Sequence, residues 1–244
     1  MATASGAFLG YNNNRGNERL KEVMNRALSK FREYRSEEAE KLSITNRDPN
    51  RNIAPPDGTI VVDVNARVLD GYKATTKWTR VFHDAISQDH LWILKDEVPD
   101  LVSVIQDGGV VPDRIAKRIV RFNLVDNTRG EPPRWSNKEV IHLKLAIDSS
   151  GTLTGNVHLE TKSGDRGYVA ELFGKVEADG TTVTRFDVVC KGMFWGSGPY
   201  THHPPEGNFP LVVAFRLADQ SKRSANILPY GAKGMVSNYF ESEK

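Results

Sequence analysis

Hydrophobic and polar residues alternate through the second half of the chain, in five segments separated mostly by short turns. Apolar side chains occupy every second position in the segments 138–148, 152–162, 168–176, 186–194 and 209–217. Successive side chains of a strand point to opposite faces, so this spacing predicts strands that each bury one face. The connections DSSG, KSGDR and EADGT contain the Gly, Asp and Ser residues that hairpin turns favour. We therefore predict a meander of five antiparallel strands.

Upstream of the meander, the sequence predicts one further strand and several helices. The segment TIVVDVNARVL alternates in the same way and extends the sheet. Apolar residues with helical spacing follow in the segments 77–86, 96–105 and 112–122. The segment HLWIL at 90–94 fits either a short buried strand or the end of a helix. Together these elements predict an α+β fold, in which two or three helices cover a curved, mainly antiparallel sheet of five to six strands, with closure into a barrel as an open alternative.

The N-terminal part of the chain has a different pattern. Apolar residues recur there every three or four positions, at Leu20, Val23, Met24, Ala27, Leu28, Phe31 and Tyr34. Charged residues occupy the other side, so the pattern predicts an amphipathic helix. Three prolines follow within a stretch of little apolar character, which is typical of a linker. The predicted organisation is a disordered N-terminus (1–16), the amphipathic helix (17–42), a linker (43–58), the α+β main domain (59–218) and a C-terminal tail (219–244).

The turn after the first meander strand determines how the next strand pairs with it. The apolar residues of both strands have odd numbers and must face the same side of the sheet. The two residue numbers of each directly opposed pair must therefore add to an even number. A three-residue loop at 149–151, which ends in glycine, gives a sum of 300. This register places His142 opposite His158 on the other face of the sheet, with Val140 opposite Glu160.

These two histidines form the first candidate site. Directly opposed side chains lie close enough for two imidazoles to share a proton or a metal ion. With Glu160 nearby, His142 and His158 make a candidate site for one transition-metal ion. The simpler interpretation is that both histidines are exposed on a polar sheet face, because two imidazoles fall short of the four ligands of a structural zinc site.

The glycine-rich segment after the fourth meander strand forms the second candidate site. Its aromatic and histidine side chains lie between glycines and two prolines, and a Trp-containing loop near residue 135 could join them. Such side chains can form the wall of a pocket at the end of a sheet. The alternative is a loop with a purely structural role. The predicted ligand-binding residues are Trp195, Tyr200, His202, His203, Arg134 and Trp135.

Two other features predict structural roles. Cys190 falls on the core-facing positions of its strand, and a thiol buried among apolar groups has a raised pKa and makes a poor nucleophile. Arg114, Lys117, Arg118 and Arg121 occupy one side of the helix at 112–122. No nucleic-acid-binding motif accompanies them, so we predict a solvent-exposed helix face and not a phosphate site.

Composition narrows the class of protein further. The 244 residues include 33 Lys+Arg and 31 Asp+Glu, and a net charge of +2 argues against binding of polyanions by bulk charge. One cysteine excludes internal disulfides and zinc sites built from several thiolates. The sequence has neither a signal-peptide pattern nor an apolar run long enough to span a membrane, so we expect a soluble, cytoplasmic protein. It also lacks the phosphate-loop, dinucleotide, zinc-protease and serine-hydrolase motifs.

Three hypotheses about function follow. The leading one is a non-catalytic domain without a cofactor, which binds a small molecule or peptide at one end of the sheet. A second is a metal-dependent enzyme or metalloprotein that uses His142, His158 and Glu160. A third is an interaction or assembly protein whose helix 17–42 docks on a protein partner. We expect no membrane partner, nucleic acid is not favoured, and the sequence leaves open whether any reaction is catalysed.

Overall fold

A computed structural model describes two units of the chain, Met1–Ile53 and Ala54–Lys244. The residues that it describes are 1, 8–13, 16–33, 54–73, 76–201, 203–219, 227–233 and 236–241. Among them, no helix combines the length and the hydropathy that crossing a bilayer requires.

The first unit contains the N-terminal helix α1, Asn17–Glu33. On this helix Val23 and Ala27 are buried and pack against Gly10. The other apolar side chains of the helix, Leu20, Met24, Leu28 and Phe31, are between 44% and 54% exposed. The remainder of the predicted helix 17–42, and most of the predicted linker 43–58, lie outside the described residues.

The second unit contains ten strands and four helices in its described part. The strands are β1 Ile60–Val68, β2 Ser87–Ile93, β3 Gly109–Val110, β4 Gly130–Glu131, β5 Val140–Ile147, β6 Thr152–Glu160, β7 Gly167–Asp179, β8 Thr182–Trp195, β9 Tyr200–Thr201 and β10 Asn208–Leu217. The helices are α2 Lys77–Asp84, α3 Val98–Asp107, α4 Asp113–Arg118 and α5 Val236–Phe240, and a π-helical turn, Ile119–Asn123, continues α4.

Eight of the strands form one open antiparallel sheet in the order β2-β1-β10-β8-β7-β6-β5-β3. The predicted meander is confirmed as β5, β6, β7, β8 and β10, and β1 extends it beside β10. The ambiguous segment 90–94 belongs to strand β2. The sheet has more strands than predicted because β2 and the two-residue β3 add its edges. The mainly antiparallel α+β prediction is confirmed, and the open edges mean that the sheet is not closed into a barrel.

One face of the sheet carries the core. Alternate strand residues such as Leu172, Cys190 and Val213 are buried on this face, and the apolar sides of α3 and α4 pack against it. Cys190 is fully buried, as its position in the alternation predicts, and burial raises the pKa of its thiol to about 12. We call the opposite face of the sheet the outer face.

The predicted register of the β5–β6 hairpin is confirmed over most of its length. His142 pairs with His158, and Ile147 pairs with Leu153. The loop between the strands ends at Gly151, which has a φ of +81°. Glycine adopts this left-handed conformation at little cost, which is why this position closes the turn.

At the start of β5 the predicted register is wrong. A β-bulge interrupts the ladder there, and Val140 pairs with Leu159 instead of Glu160. The extra residue is Ile141, which is 58% exposed although its position in the alternation predicted a core residue. Val140 packs partly against the core in its place. A bulge places two residues opposite one, and it therefore exchanges the faces on either side of it.

The prediction of an exposed basic face at 114–121 is wrong for two of its four residues. Arg118 is fully buried, and its guanidinium pairs with both carboxylate oxygens of Glu97 at 2.6 and 2.8 Å. Arg121 is 8% exposed and donates to the backbone carbonyl of Trp135 at 3.0 Å. These partners compensate the two guanidinium groups for the hydration that they lose, which allows both cations to be buried.

The C-terminal segment contributes a core residue of the second unit, although the sequence predicted it as a tail outside the main domain. Tyr239 in α5 is fully buried, and its hydroxyl accepts a hydrogen bond from the backbone N–H of Trp92 at 3.1 Å. Strand β2, which carries Trp92, is an edge of the sheet. The segment therefore satisfies a backbone group that an edge strand would otherwise leave unpaired.

Candidate functional site

The loops at the end of β8 hold the predicted ligand-binding residues, and the structure gives most of them intramolecular partners. Trp195 lies on the outer face at the end of β8, and its indole ring covers Gly167 on the neighbouring strand. Its Nε1 donates to the carbonyl of Gly164 at 3.0 Å. A side chain at position 167 would overlap this ring, so the glycine permits the close contact.

Arg134 and Trp135 serve the packing of the loops. Trp135 is fully buried, and its Nε1 donates to the carbonyl of Leu124 at 2.7 Å. The guanidinium of Arg166 lies 3.8 Å above its ring, in a cation–π arrangement. Arg134 donates to the carbonyl of Lys233 at 2.7 Å, which ties the loop to the C-terminal segment. Neither residue is positioned to line an open pocket.

The remaining predicted loop residues differ in exposure. Tyr200 in β9 is 69% exposed. His203 has a φ of +57°, and its ring stacks on Phe82 with the ring centroids 5.9 Å apart. His202 lies outside the described residues. Among the described residues of this loop, Tyr200 therefore presents an exposed aromatic ring, and His203 stacks its ring on Phe82.

The two opposed histidines each have a partner of their own. The Nε2 atom of His142 lies 2.5 Å from the side-chain oxygen of Asn156. The Nε2 atom of His158 lies 2.8 Å from Glu160, and both of these side chains are about one-third exposed. Across the described residues, no three His, Cys, Asp or Glu side chains are grouped to hold a metal ion. The structure thus brings the predicted residues to one face without assembling a complete metal-ligand set.

A shallow groove surrounds these histidines on the outer face. We call it the outer groove, and it has a volume of about 570 Å³. Two apolar side chains, Val169 and Met193, are 47% and 42% exposed at directly opposed positions of β7 and β8. The lining residues include His142, Asn156, His158, Val169, Glu171, Lys191 and Met193.

The strand register explains how the outer groove combines these groups. Across β6, β7 and β8, one row of opposed residues is His158, Val169 and Met193. The next row toward the β8 end is Glu160, Gly167 and Trp195. Trp195 therefore occupies the same face as the histidines, one row away, which joins the two predicted sites along the sheet.

On the other side of that histidine row, the face is polar. Asn156, Glu171 and Lys191 are opposed across β6, β7 and β8. Opposite charges at such cross-strand positions attract each other. A further row contains Phe173, which is 54% exposed and lines an adjoining depression. The outer face thus alternates apolar and polar rows, which suits a ligand with both kinds of group.

Neither a protein-family model, nor a curated protein, nor a solved structure matches this chain. The functional conclusion therefore depends on the geometry of the site itself.

A second cavity, at the edge strand β2, contains a buried carboxyl group that sequence reasoning missed. This cavity of about 410 Å³ is lined by residues of β1, β2 and the C-terminal segment. Asp89 accepts hydrogen bonds from the backbone N–H groups of Tyr230 at 2.7 Å and His90 at 2.8 Å. Burial raises the pKa of this carboxyl to about 6, despite those hydrogen bonds.

His90 lies in the same cavity and has unusual surroundings. Its Nε2 atom is 3.4 Å from a carboxylate oxygen of Asp63, on the opposed position of β1. Its Nδ1 atom is buried and has no hydrogen-bond partner among the residues that the structure describes. Burial lowers the pKa of His90, which keeps the imidazole neutral near neutral pH. The sequence signal was an Asp-His pair directly before the apolar residues LWI of the strand SQDHLWI, and periodicity alone assigned this pair to no site.

Proposed function

We propose that this protein is a non-catalytic binding domain and that the outer groove is its binding site. Its ligand is a small molecule or a peptide segment that carries one apolar group and at least one polar group. The observation that carries the proposal is the pair of exposed apolar side chains, Val169 and Met193, at directly opposed positions in the groove.

Several features support binding over catalysis at this groove. Exposed apolar side chains that cluster in a concavity are typical of binding surfaces. Glu171 and Lys191 supply one acceptor and one set of donors beside them. A general acid–base pair would need shifted pKa values in a water-excluding cleft, whereas this groove is open to solvent. Because its one cysteine is buried and unpaired, a reducing cytoplasmic environment fits the chain.

The test is a thermal-shift screen with N-acylated amino acids and tripeptides that contain Leu, Met, Phe or Trp. We expect some of these probes to raise the unfolding temperature of the wild-type protein. The substitution Met193→Asp places a carboxylate at the centre of the groove and should abolish these shifts. Val110→Asp is the matched control, because Val110 is 72% exposed on β3, away from the groove.

The outcomes separate the proposal from its rivals. Thermal shifts that persist in both Met193→Asp and Val169→Asp would show that the probes bind outside the outer groove. A screen without any shift would contradict the proposal itself. Metal analysis of untagged protein addresses the metalloprotein hypothesis, for which a stoichiometric transition metal lost in His158→Ala is the required result.

A separate observation supports a protein contact through α1. Leu20, Met24, Leu28 and Phe31 form an apolar stripe that is about half exposed in the first unit. We propose that this stripe binds a protein partner, and self-association through it is tested first. Light scattering should then give a larger mass for the wild type than for the Leu20→Glu, Leu28→Glu double variant, and equal masses would contradict self-association.

A further inference from the structure

A third cavity lies at the opposite end of the sheet, where β1 and β8 begin and β10 ends. We call it the basal groove, and it has a volume of about 430 Å³. Small-molecule sites commonly occupy roughly 300–1,000 Å³ and are mostly apolar. Its lining is mainly apolar, with Ile60, Val98, Val183 and Leu217 among its residues.

The basal groove is an opening into the hydrophobic core. Ile60, Val98 and Leu217 pack against the core but remain partly exposed. Helix α3 begins at Val98, so it covers the core face of the sheet only from that residue onward. The apolar floor therefore belongs to the fold, and an apolar group seated there would extend the core.

One cation stands at the rim of the basal groove. The side chain of Lys95 lies along Gly58, and both residues line the groove. Within the described part of the chain, no carboxylate lies within ion-pair distance of the Lys95 ammonium, and the adjacent Asp96 pairs instead with Arg114 at 3.1 Å. Thr59, on the same wall, has a buried hydroxyl oxygen that no described residue contacts by a hydrogen bond.

We propose that the basal groove binds a medium-chain aliphatic carboxylate. The alkyl chain lies on Ile60, Val98 and Leu217, and the carboxylate pairs with the ammonium of Lys95. The apolar floor and the unpaired cation at its edge match the two ends of such a molecule. This site is independent of the outer groove, which lies on the other face of the sheet.

The test is an NMR titration of the uniformly ¹⁵N-labelled full chain with octanoate, hexanoate and octanamide. Hexanoate lacks two methylenes and should bind roughly tenfold more weakly than octanoate, as expected for burial of those groups. Octanamide keeps the alkyl chain of octanoate but has no charge, so its affinity reports the apolar contribution to binding alone. The strongest shifts should appear at the amides of residues 58–60 and 98.

Two variants separate the contributions of charge and groove. Lys95→Gln should weaken octanoate binding roughly three- to fivefold and leave octanamide binding unchanged. Lys77→Gln is the matched control, because it removes the ammonium of an exposed residue that does not line the groove. Val98→Asp should abolish octanoate binding, and the dispersion of the variant's own ¹⁵N spectrum shows whether it is folded before the titration.

Three results would overturn the proposal. These are equal octanoate affinities of the wild type and Lys95→Gln, unchanged binding in Val98→Asp, and loss of binding in Met193→Asp. The last result would move the fatty carboxylate to the outer groove. Failure of the outer groove to bind its own probes leaves the octanoate titration unaffected, so the two proposals fail separately.

Discussion

The guanidinium of Arg118 is fully buried, and the surrounding chain satisfies most of its donors. It makes two hydrogen bonds to Glu97 and donates to the carbonyls of Trp92 and Tyr239, each at 3.1 Å. These partners come from the residue directly before α3, from β2 and from α5. One side chain thus connects three parts of the chain that are distant in sequence. Its loss would remove the two shortest hydrogen bonds of a buried carboxylate and one donor from each of two carbonyls.

We predict that Glu97→Gln or Arg118→Met lowers the free energy of unfolding by about 3–5 kcal/mol, because each leaves a buried partner uncompensated. The control is Lys233→Gln, whose ion pair with Glu131 at 3.2 Å is exposed and should contribute less than about 1 kcal/mol. Urea unfolding monitored by circular dichroism measures both. Equal small effects for all three variants would contradict the assignment of a buried pair.

Asp89 makes stability depend on pH. Burial raises its pKa in the folded protein to about 6, whereas an unfolded aspartate titrates near about 3.9. The folded state therefore holds this proton more tightly, and the contribution of Asp89 to stability is fully present only below the unfolded pKa. It is lost as the pH rises through about 6.

We predict that Asp89→Asn changes this dependence. Relative to the wild type, the variant should gain up to about 3 kcal/mol of unfolding free energy between pH 4 and pH 7, since two pKa units of difference are removed. Denaturant unfolding of both proteins at pH 4, 5.5 and 7 checks this. If the difference between the two proteins stays constant with pH, the pKa of Asp89 is not raised.

At the scale of elements, the β5–β6 hairpin illustrates what the sequence can predict. The alternation and the position of Gly151 were sufficient for the register of His142 and His158, because both are local constraints. The bulge at Ile141 was not predictable in this way. A single extra residue leaves the apolar alternation of the rest of the strand intact. In the sequence, Ile141 therefore fits a core-facing position as well as Leu143 does.

The C-terminal segment was harder to predict for a different reason. Its contribution to the core comes mainly from Tyr239 on the five-residue helix α5, which is too short to produce a periodic pattern. The burial of Arg118 was also hard to predict, because it depends on Glu97 and Tyr239, which are distant in sequence. Buried polar partners that meet only in three dimensions leave no local signal.

We predict that Tyr239 anchors this segment on the edge strand. Tyr239→Phe removes only the hydroxyl that pairs with Trp92 and should cost about 1 kcal/mol. Tyr239→Ala also removes the buried ring and should cost about 3–5 kcal/mol. Thermal unfolding measures both, and amide exchange at Trp92 should accelerate in each variant. Unchanged exchange at Trp92 would show that the edge is protected by another group.

At the scale of the whole molecule, the sheet has two faces with different roles. One face supports α3 and α4, and the other carries rows of partly exposed side chains. The sequence predicted which residues share each face except at Ile141, and it placed His142 and His158 opposite each other on the outer face. It could not predict that Trp135 is buried or that Asp89 faces a cavity, because loop packing and edge contacts are not periodic.

We predict a gradient of local stability across the sheet. Strands β7 and β8 are long, central and paired on both sides, so their interior amides should exchange slowest with solvent. Those of β3, which has two residues at an edge, should exchange fastest among the strands. Hydrogen exchange followed by NMR measures the order. Exchange at β3 as slow as that of β8 would indicate that a further contact covers this edge.

The contact between Trp195 and Gly167 has an optical consequence. Trp92 and Trp135 are fully buried, so their fluorescence should emit at short wavelength and resist quenching by acrylamide. Trp195 is partly exposed on the outer face, one row from the apolar pair of the outer groove. The difference in emission between the wild type and Trp195→Phe therefore isolates an indole beside the proposed binding surface. The protein thus contains an intrinsic fluorophore with which occupancy of the outer groove can be tested.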